Sequence, residues 1–282
     1  MTNPIADPLV EGVDSDASSE LVRIEATPDG VATVIMNRPA QRNAFNAELI
    51  AALHEAFETL HGAEGVRVVF LRGEGAFFSA GADLEWMREA AEWSEADNRA
   101  DALQMARMLK SLWDIPALTV ALVEGGGFGG GAGLIAACDM AVATAGAKFS
   151  FSEVKLGLIA ATISPYVVGA IGPRTARGLF ATARIFDAAH AEKIGLVTEV
   201  VADVAELDEA ASRISAEIMA CAPGAVADSK TLVNDVAFQE IDHGLMEETS
   251  KRIARARGSE EGQEGVRAFL GKTRPSWAAP AT

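Results

Sequence analysis

Gly125-Gly126-Gly127-Phe128-Gly129-Gly130-Gly131-Ala132-Gly133 is the stretch on which the reading of this chain turns. Six of its first seven residues are glycine. The apolar, strand-length run Leu118–Val123 precedes it, and Ala132–Cys138, suited to a short helix, closes it. So many glycines cost conformational entropy, so they point to a very tight turn or a close approach of backbone to a ligand. A helix starting near Gly130 would aim free amides and its positive dipole end at a developing negative charge. The alternative, a flexible loop, fits poorly with such apolar flanks. The cluster also matches G-x-G-x-x-G at Gly125, Gly127 and Gly130. A dinucleotide site wants an acidic residue ending the next strand, and that strand ends near Ala143-Thr144-Ala145. This counts against a nicotinamide-dependent oxidoreductase. No Lys-Ser or Lys-Thr follows the glycines, which excludes a Walker-type phosphate loop.

Two further segments could carry chemistry. Phe77-Phe78-Ser79-Ala80-Gly81-Ala82-Asp83-Leu84 places small residues between an apolar strand and a helix. Amides in such a turn can point at an anionic oxygen, although small residues there also simply permit packing. In Phe149-Ser150-Phe151-Ser152-Glu153-Val154-Lys155-Leu156-Gly157-Leu158, a glutamate stands among apolar neighbours. A carboxylate held there would have a raised pKa, useful for proton transfer near neutrality. The other reading is a solvated Glu153, or one paired with Lys155. No G-x-S-x-G elbow or H-E-x-x-H zinc pair occurs. His54, His61, His190 and His243 are scattered, and no metal site is expected. Glu247-Glu248 and Lys251, Arg252, Arg255 and Arg257 read as solvated helix faces.

Outward from these segments, residues 1–20 read as a disordered tail, with Asp7, Glu11, Asp14, Asp16 and Glu20 among Pro, Gly and Ser and no signal-peptide pattern. Leu21–Glu25 and Val31–Met36 form a hairpin through Thr27-Pro28-Asp29-Gly30. A helix over 46–60 takes Asn46 as N-cap. Val66–Arg72 is a buried strand. Asp97–Trp113 is a helix with Leu103, Met105, Met108, Leu109 and Leu112 on its apolar faces, and Met140–Ala143 is a strand. After Phe151 only Leu196–Val201 suggests a strand. Helices are expected over 164–181, 188–194, 204–220, 225–237 and 242–257. Residues 21–200 thus make an alternating α/β core and residues 201–282 a helical C-terminal part, treated as one folding unit.

Composition narrows the partners. The 282 residues are 49% apolar, with mean hydropathy +0.16 and a formal charge of −16. Such acidity disfavours nucleic acid and anionic membrane surfaces. No apolar run is long enough to span a bilayer. Cys138 and Cys221 read as two buried reduced thiols in a reducing compartment, taken as the cytoplasm.

Taken in order, the segments resemble the crotonase (enoyl-CoA hydratase/isomerase) family. The likeness includes Asn37-Arg38-Pro39, Asn43-Ala44, Phe78-Ser79-Ala80-Gly81-Ala82-Asp83, the glycine cluster closing on Cys138-Asp139, and Glu153 with Leu156-Gly157. It runs from about Leu21 to Trp277. The resemblance implies an α/β spiral of strand-strand-helix turns, then helices that assemble homotrimers, often paired into hexamers. It implies acyl-CoA thioester substrates and no added cofactor, since coenzyme A arrives with the substrate. The amides of Ala82 and Gly130 would form an oxyanion hole, with Glu153 as acid/base. Arg42, Ala80, Asp83, Leu84, Gly129, Phe269 and Lys272 would meet the substrate or its CoA part, with Arg38 close by. Hydratases of the family carry a second glutamate where this chain has Gly133. One carboxylate suits a shift of the double bond. Against that, Phe128-Gly129-Gly130, Gly133-Leu134-Ile135 and Phe151-Ser152-Glu153-Val154 through Ile163-Ser164-Pro165-Tyr166-Val167-Val168 look like bacterial hydratases of methylglutaconyl-CoA and related carboxylated branched substrates. Hydratase is therefore the favoured expectation. An isomerase using Glu153 alone and a catalytically weak acyl-CoA-binding protein are the alternatives.

Overall fold

The structure is a computed structural model that describes residues 21–278. The expected tail over 1–20 lies outside the described residues. Two strands open the fold, β1 (Val22–Ala26) and β2 (Val31–Met36), paired antiparallel. The turn between them closes through Gly30 N–H on Thr27 O at 3.0 Å. Gly30 takes φ +92°, a conformation that costs glycine least.

Helix α1 (Ala47–Gly62) carries the chain across to β3 (Val68–Gly73), which runs parallel to β2. Its N-cap is Asn46, whose side chain accepts from Leu49 N–H at 2.9 Å. Leu49, Ile50, Leu53, Ala56, Phe57 and Leu60 form the buried stripe expected of period 3.6. Two helices follow, α2 (Leu84–Ala90) and α3 (Glu95–Asp114), the second capped by Ser94. Helix α3 buries Met105, Met108, Leu109 and Leu112, but Leu103, expected on an apolar face, is 47% exposed.

The glycine cluster is ordered. Strand β4 (Leu118–Val123) leads into a strand within the cluster, β5 (Gly126–Phe128), and then helix α4 (Gly130–Ala137). β6 (Met140–Thr144) and β7 (Lys148–Ser150) come next. β5 pairs parallel with β7, and a Cβ on Gly126 would run into the Lys148 backbone. Several of these glycines therefore serve backbone packing as well as any ligand. Asp139, just past α4, accepts from Thr119 N–H at 2.8 Å and Thr119 Oγ1 at 2.9 Å, tying the end of α4 to the start of β4.

Helix α5 (Ser164–Thr182) is broken at Gly172, φ +74°, before Pro173. A two-residue strand follows, β8 (Phe186–Asp187), which the sequence reading missed. Then come α6 (Ala188–Ile194), β9 (Glu199–Val201) and α7 (Val204–Met219). The large sheet has strand order β1-β2-β3-β4-β6-β9, and β5, β7 and β8 form a separate small sheet.

The chain divides into two compact units. One spans residues 21–115 and 119–212; the other takes residues 116–118 and 213–278. The second unit contains α8 (Pro223–Val236), α9 (His243–Gly258) and α10 (Glu260–Gly271). In it Arg252 bridges Asp235 at 2.7 Å and Glu248 at 2.9 Å, and Lys230 Nζ donates to Ala117 O at 2.7 Å. Cys138 is buried, but Cys221 is exposed, because it lies past the end of α7 rather than on its buried face. No helix among the described residues is long and apolar enough to cross a membrane.

Candidate active site

Two chain segments meet side by side in the first unit. Ser79 and Gly127 form a parallel bridge, with Ser79 N–H donating to Gly126 O (3.2 Å) and Phe128 N–H to Ser79 O (3.0 Å). Ala82 and Gly130 each lie three residues beyond that bridge, so the register carries both to the same end of the pair. Phe45 also bridges Ala82. Phe45 N–H donates to Gly81 O (2.7 Å), and Asp83 N–H to Phe45 O (2.8 Å). That pattern turns the Ala82 N–H away from Phe45, and Ala82 is exposed. Gly130 opens α4, where the first amides have no partner within the helix. Neither amide hydrogen-bonds to any described residue. They are two donors at one locus, one of them reinforced by the helix dipole.

A polar clamp holds this loop; the sequence reading had given Asp83 a substrate or CoA contact with Arg38 close by, and had quoted Asn43 and Ser79 without a role. Asn43 is fully buried. Its Oδ1 accepts from Arg38 N–H (2.9 Å), and its Nδ2 donates to Phe77 O (2.7 Å) and Glu74 O (3.1 Å). Ser79 Oγ donates to Asn43 O at 2.8 Å and accepts from Gly81 N–H at 3.3 Å. Arg38 donates to Ala44 O and pairs with Asp83 at 2.9 Å. Asp83 caps α2 through Glu85 N–H at 2.8 Å. Burial works to raise its pKa, but that amide and Arg38 outweigh it and hold the carboxyl below its ordinary value. Asp83 and Arg38 are thus engaged with each other and with the backbone.

Glu153 starts a short 3₁₀ turn, Glu153–Leu156, right after β7. It is half-buried, and its Oε1 lies 3.3 Å from where a Cβ on Gly129 would stand. Gly129 thus leaves room for the carboxylate, beside the residue that opens α4. Oε2 is buried and makes no hydrogen bond to any described residue. Burial pushes the Glu153 carboxyl up, and its own backbone N–H offsets a smaller part. Lys155 is exposed and no ion pair joins it to Glu153. Of the two readings left open by the sequence, the structure shows the desolvated one.

The other named positions divide between the two units. Ala80 N–H donates to Arg42 O at 2.9 Å, and Leu84 is 71% exposed at the start of α2. Arg42 lies over the Phe77 ring at 5.8 Å, and Phe77 stacks on Phe128 at 5.9 Å. Arg42 is exposed, in the left-handed region at φ +50°. Phe269, 84% exposed, and Lys272, at φ +54° past the end of α10, belong to the second unit. Gly133 is buried, and a Cβ there would stand 2.7 Å from the Ile163 Cβ and closer still to its Cγ2 methyl. Among the described residues no group of three His, Cys, Asp or Glu could hold a metal ion.

A family model for enoyl-CoA hydratase/isomerase matches residues 26–280. The chain belongs to the enoyl-CoA hydratase/isomerase family. A Legionella pneumophila structure assigned to enoyl-CoA hydratase/isomerase (crotonase) is 44% identical, with a TM-score of 0.86, covering 91% of this chain and 98% of that one. An enoyl-CoA hydratase structure from Shewanella pealeana is 39% identical, with a TM-score of 0.88, over 91% and 96% of the two chains. A Thermus thermophilus protein assigned as an enoyl-CoA hydratase is 34% identical over 247 residues, 87% of this chain and 96% of that protein. The fold is therefore the family's crotonase fold, with its helical C-terminal region.

Proposed function

We propose that this family member is an enoyl-CoA hydratase, adding water across the 2,3 double bond of an acyl-CoA thioester, branched or carboxylated acyl groups included. The observation that carries the reading is Glu153: a buried, unpartnered carboxylate oxygen beside two amides free to bind an oxyanion. The amides of Ala82 and Gly130 would donate to the thioester oxygen. They bind it more strongly as charge develops on it in the enolate-like transition state. Water oxygen bonds to C3, and the proton needed at C2 passes through Glu153. Burial that raises the Glu153 pKa makes its carboxylate a stronger base, better suited to take a proton and return it. Arg42 would serve the nucleotide end of CoA, and Phe269 and Lys272 would serve that end of a CoA bound by a neighbouring subunit. No further cofactor takes part, because coenzyme A comes with the substrate.

A second reading, a double-bond shift carried between C2 and C4 by Glu153 alone, is favoured by the packing of Ile163 on Gly133. A panel of enoyl-CoA thioesters, including 3-enoyl and carboxylated branched members, with products resolved by mass spectrometry, separates the two. Hydroxyacyl products support the hydratase, and shifted enoyl products alone support the isomerase. Tight acyl-CoA binding without turnover leaves only a binding protein.

The active form is proposed to be a homotrimer or hexamer in the cytoplasm. Phe238, Ile241, Phe269 and Leu270 are 75–95% exposed in the single chain, an apolar surface suited to subunit contact. The two thiols, neither in a disulfide, suit a reducing compartment.

A further inference from the structure

We infer that Ile163 is a specificity-determining residue: it fills the space at Gly133 with hydrocarbon and so sets the balance between water addition and proton movement at this site. This rests on the reading of the site as one that acts on enoyl-CoA thioesters.

Gly129, the N-cap of α4, accepts from Gly133 N–H at 3.1 Å, so the two glycines lie one turn apart at the start of the helix. Against the first, the Glu153 carboxylate packs; against the second, Ile163 does. Glu153 and Ile163 therefore both meet the first turn of α4, at glycines about 6 Å apart by helix rise. Ile163 is 2% exposed, just ahead of α5, in a backbone conformation with φ −85°. Its side chain leaves no room even for a methyl on Gly133. A polar side chain projecting there to orient water is thus excluded by packing as well as absent from the sequence. The Oε2 of Glu153 agrees, since it makes no hydrogen bond to any described residue.

Water addition requires a water held near C3 while a proton reaches C2. A double-bond shift only returns to C4 the proton taken from C2. Shrinking Ile163 opens space in which a water would have the Glu153 carboxylate as a partner. Ile163→Ala does this with the backbone unchanged. A new carboxylate needs more room: alanine at 163 would keep its Cβ 2.7 Å from the new one, so the paired change is Gly133→Glu with Ile163→Gly.

The test supplies a straight-chain 3-enoyl-CoA to the purified full chain. Initial rates of 2-enoyl-CoA (shift) and 3-hydroxyacyl-CoA (shift, then water addition) are followed by mass spectrometry. Deuterium exchange at C2 of a saturated acyl-CoA in heavy water is measured alongside, since it needs only Glu153 and the two amides. The ratio of hydroxyacyl to enoyl product should rise severalfold in Ile163→Ala and about tenfold or more in the paired variant, with exchange retained. A merely structural Ile163 would lower both rates together and leave the ratio fixed. An unchanged ratio in Ile163→Ala with exchange retained overturns the inference, and that variant decides the matter where the paired one does not fold. No exchange in the unaltered protein overturns the site reading, and this inference with it.

Discussion

Helices α1 and α9 are each sixteen residues long and begin alike. Asn46 and Asp242 each accept a hydrogen bond from the third amide of their helix, Leu49 N–H and Leu245 N–H. Their apolar stripes share one spacing as well. Leu49, Ile50, Leu53, Phe57 and Leu60 on α1 correspond to Leu245, Met246, Thr249, Ile253 and Ala256 on α9. Yet α1 buries its stripe, whereas α9 buries no residue, and Met246 and Ile253 are 54% and 51% exposed. Capping is satisfied within one turn of helix, but a stripe is satisfied only by another surface. The first unit supplies that surface from its own chain. The second does so far less: of α8, α9 and α10, only Ala268 is buried. The C-terminal helices thus follow the local rules of the core without its packing, which is why a second copy is the proposed partner.

The largest expected effect lies in the first unit. Glu153→Gln should cut kcat about a hundredfold or more while leaving acyl-CoA binding and molecular mass unchanged. Turnover near that of the unaltered protein would remove Glu153 from the chemistry. In the second unit, Phe238→Asp with Phe269→Asp should instead dissociate the assembly at micromolar concentration, read by light scattering. An unaltered protein that is already monomeric would break the contrast between α1 and α9.

One substitution made in both units sharpens the contrast. Gly133→Ala forces a methyl against Ile163 and should lower unfolding free energy by about 1–3 kcal/mol in urea titration. Gly258→Ala ends α9 in open space and should be neutral or stabilising, by at most about 1 kcal/mol. Equal losses would mean that the second unit is packed as tightly as the first. Smaller still, Arg42→Asn and Lys272→Asn should each raise KM for acyl-CoA a few-fold with kcat unchanged, since a remote charge contact serves ground and transition states alike. Asparagine is chosen because both positions stand in the left-handed region. An unchanged KM in both would take the nucleotide end elsewhere.

The smallest effect is a pH dependence. Burial raises the Glu153 pKa in the folded state, so between the unfolded and folded values the native state binds more protons and stability falls as pH rises. Above the folded value the buried charge is a net cost. Glu153→Gln should therefore raise Tm slightly at pH 8 relative to the unaltered protein, and the difference should shrink at pH 4. A difference that does not vary with pH would mean the carboxylate is not desolvated.

Much of the fold was legible because its signals are local. The hairpin turn rests on Gly30, the first helix on Asn46, and the end of β4 on the glycines that follow it. What the sequence reading lacked was pairing at a distance. Strands β5 and β8 are two or three residues long and carry no period of their own; they exist because β7 lies between them. The exposure of Cys221 was misread because sequence pattern alone does not show which residues just past a helix end are covered by the rest of the chain.

From the sequence by itself came the residue types: a glycine cluster between a strand and a helix and one glutamate among apolar neighbours; the resemblance added that Gly133 stands where family hydratases carry a second glutamate. Only the tertiary structure decided where they stand relative to one another. The Ser79–Gly127 bridge brings Ala82 and Gly130 to one locus, Gly129 leaves room for a carboxylate whose Oε2 finds no partner, and Ile163 closes the space at Gly133. The reason is physical. Caps and turns are settled by residues within a few positions of each other. The register between segments far apart in the chain is settled by sheet pairing and core packing, which no short stretch encodes alone.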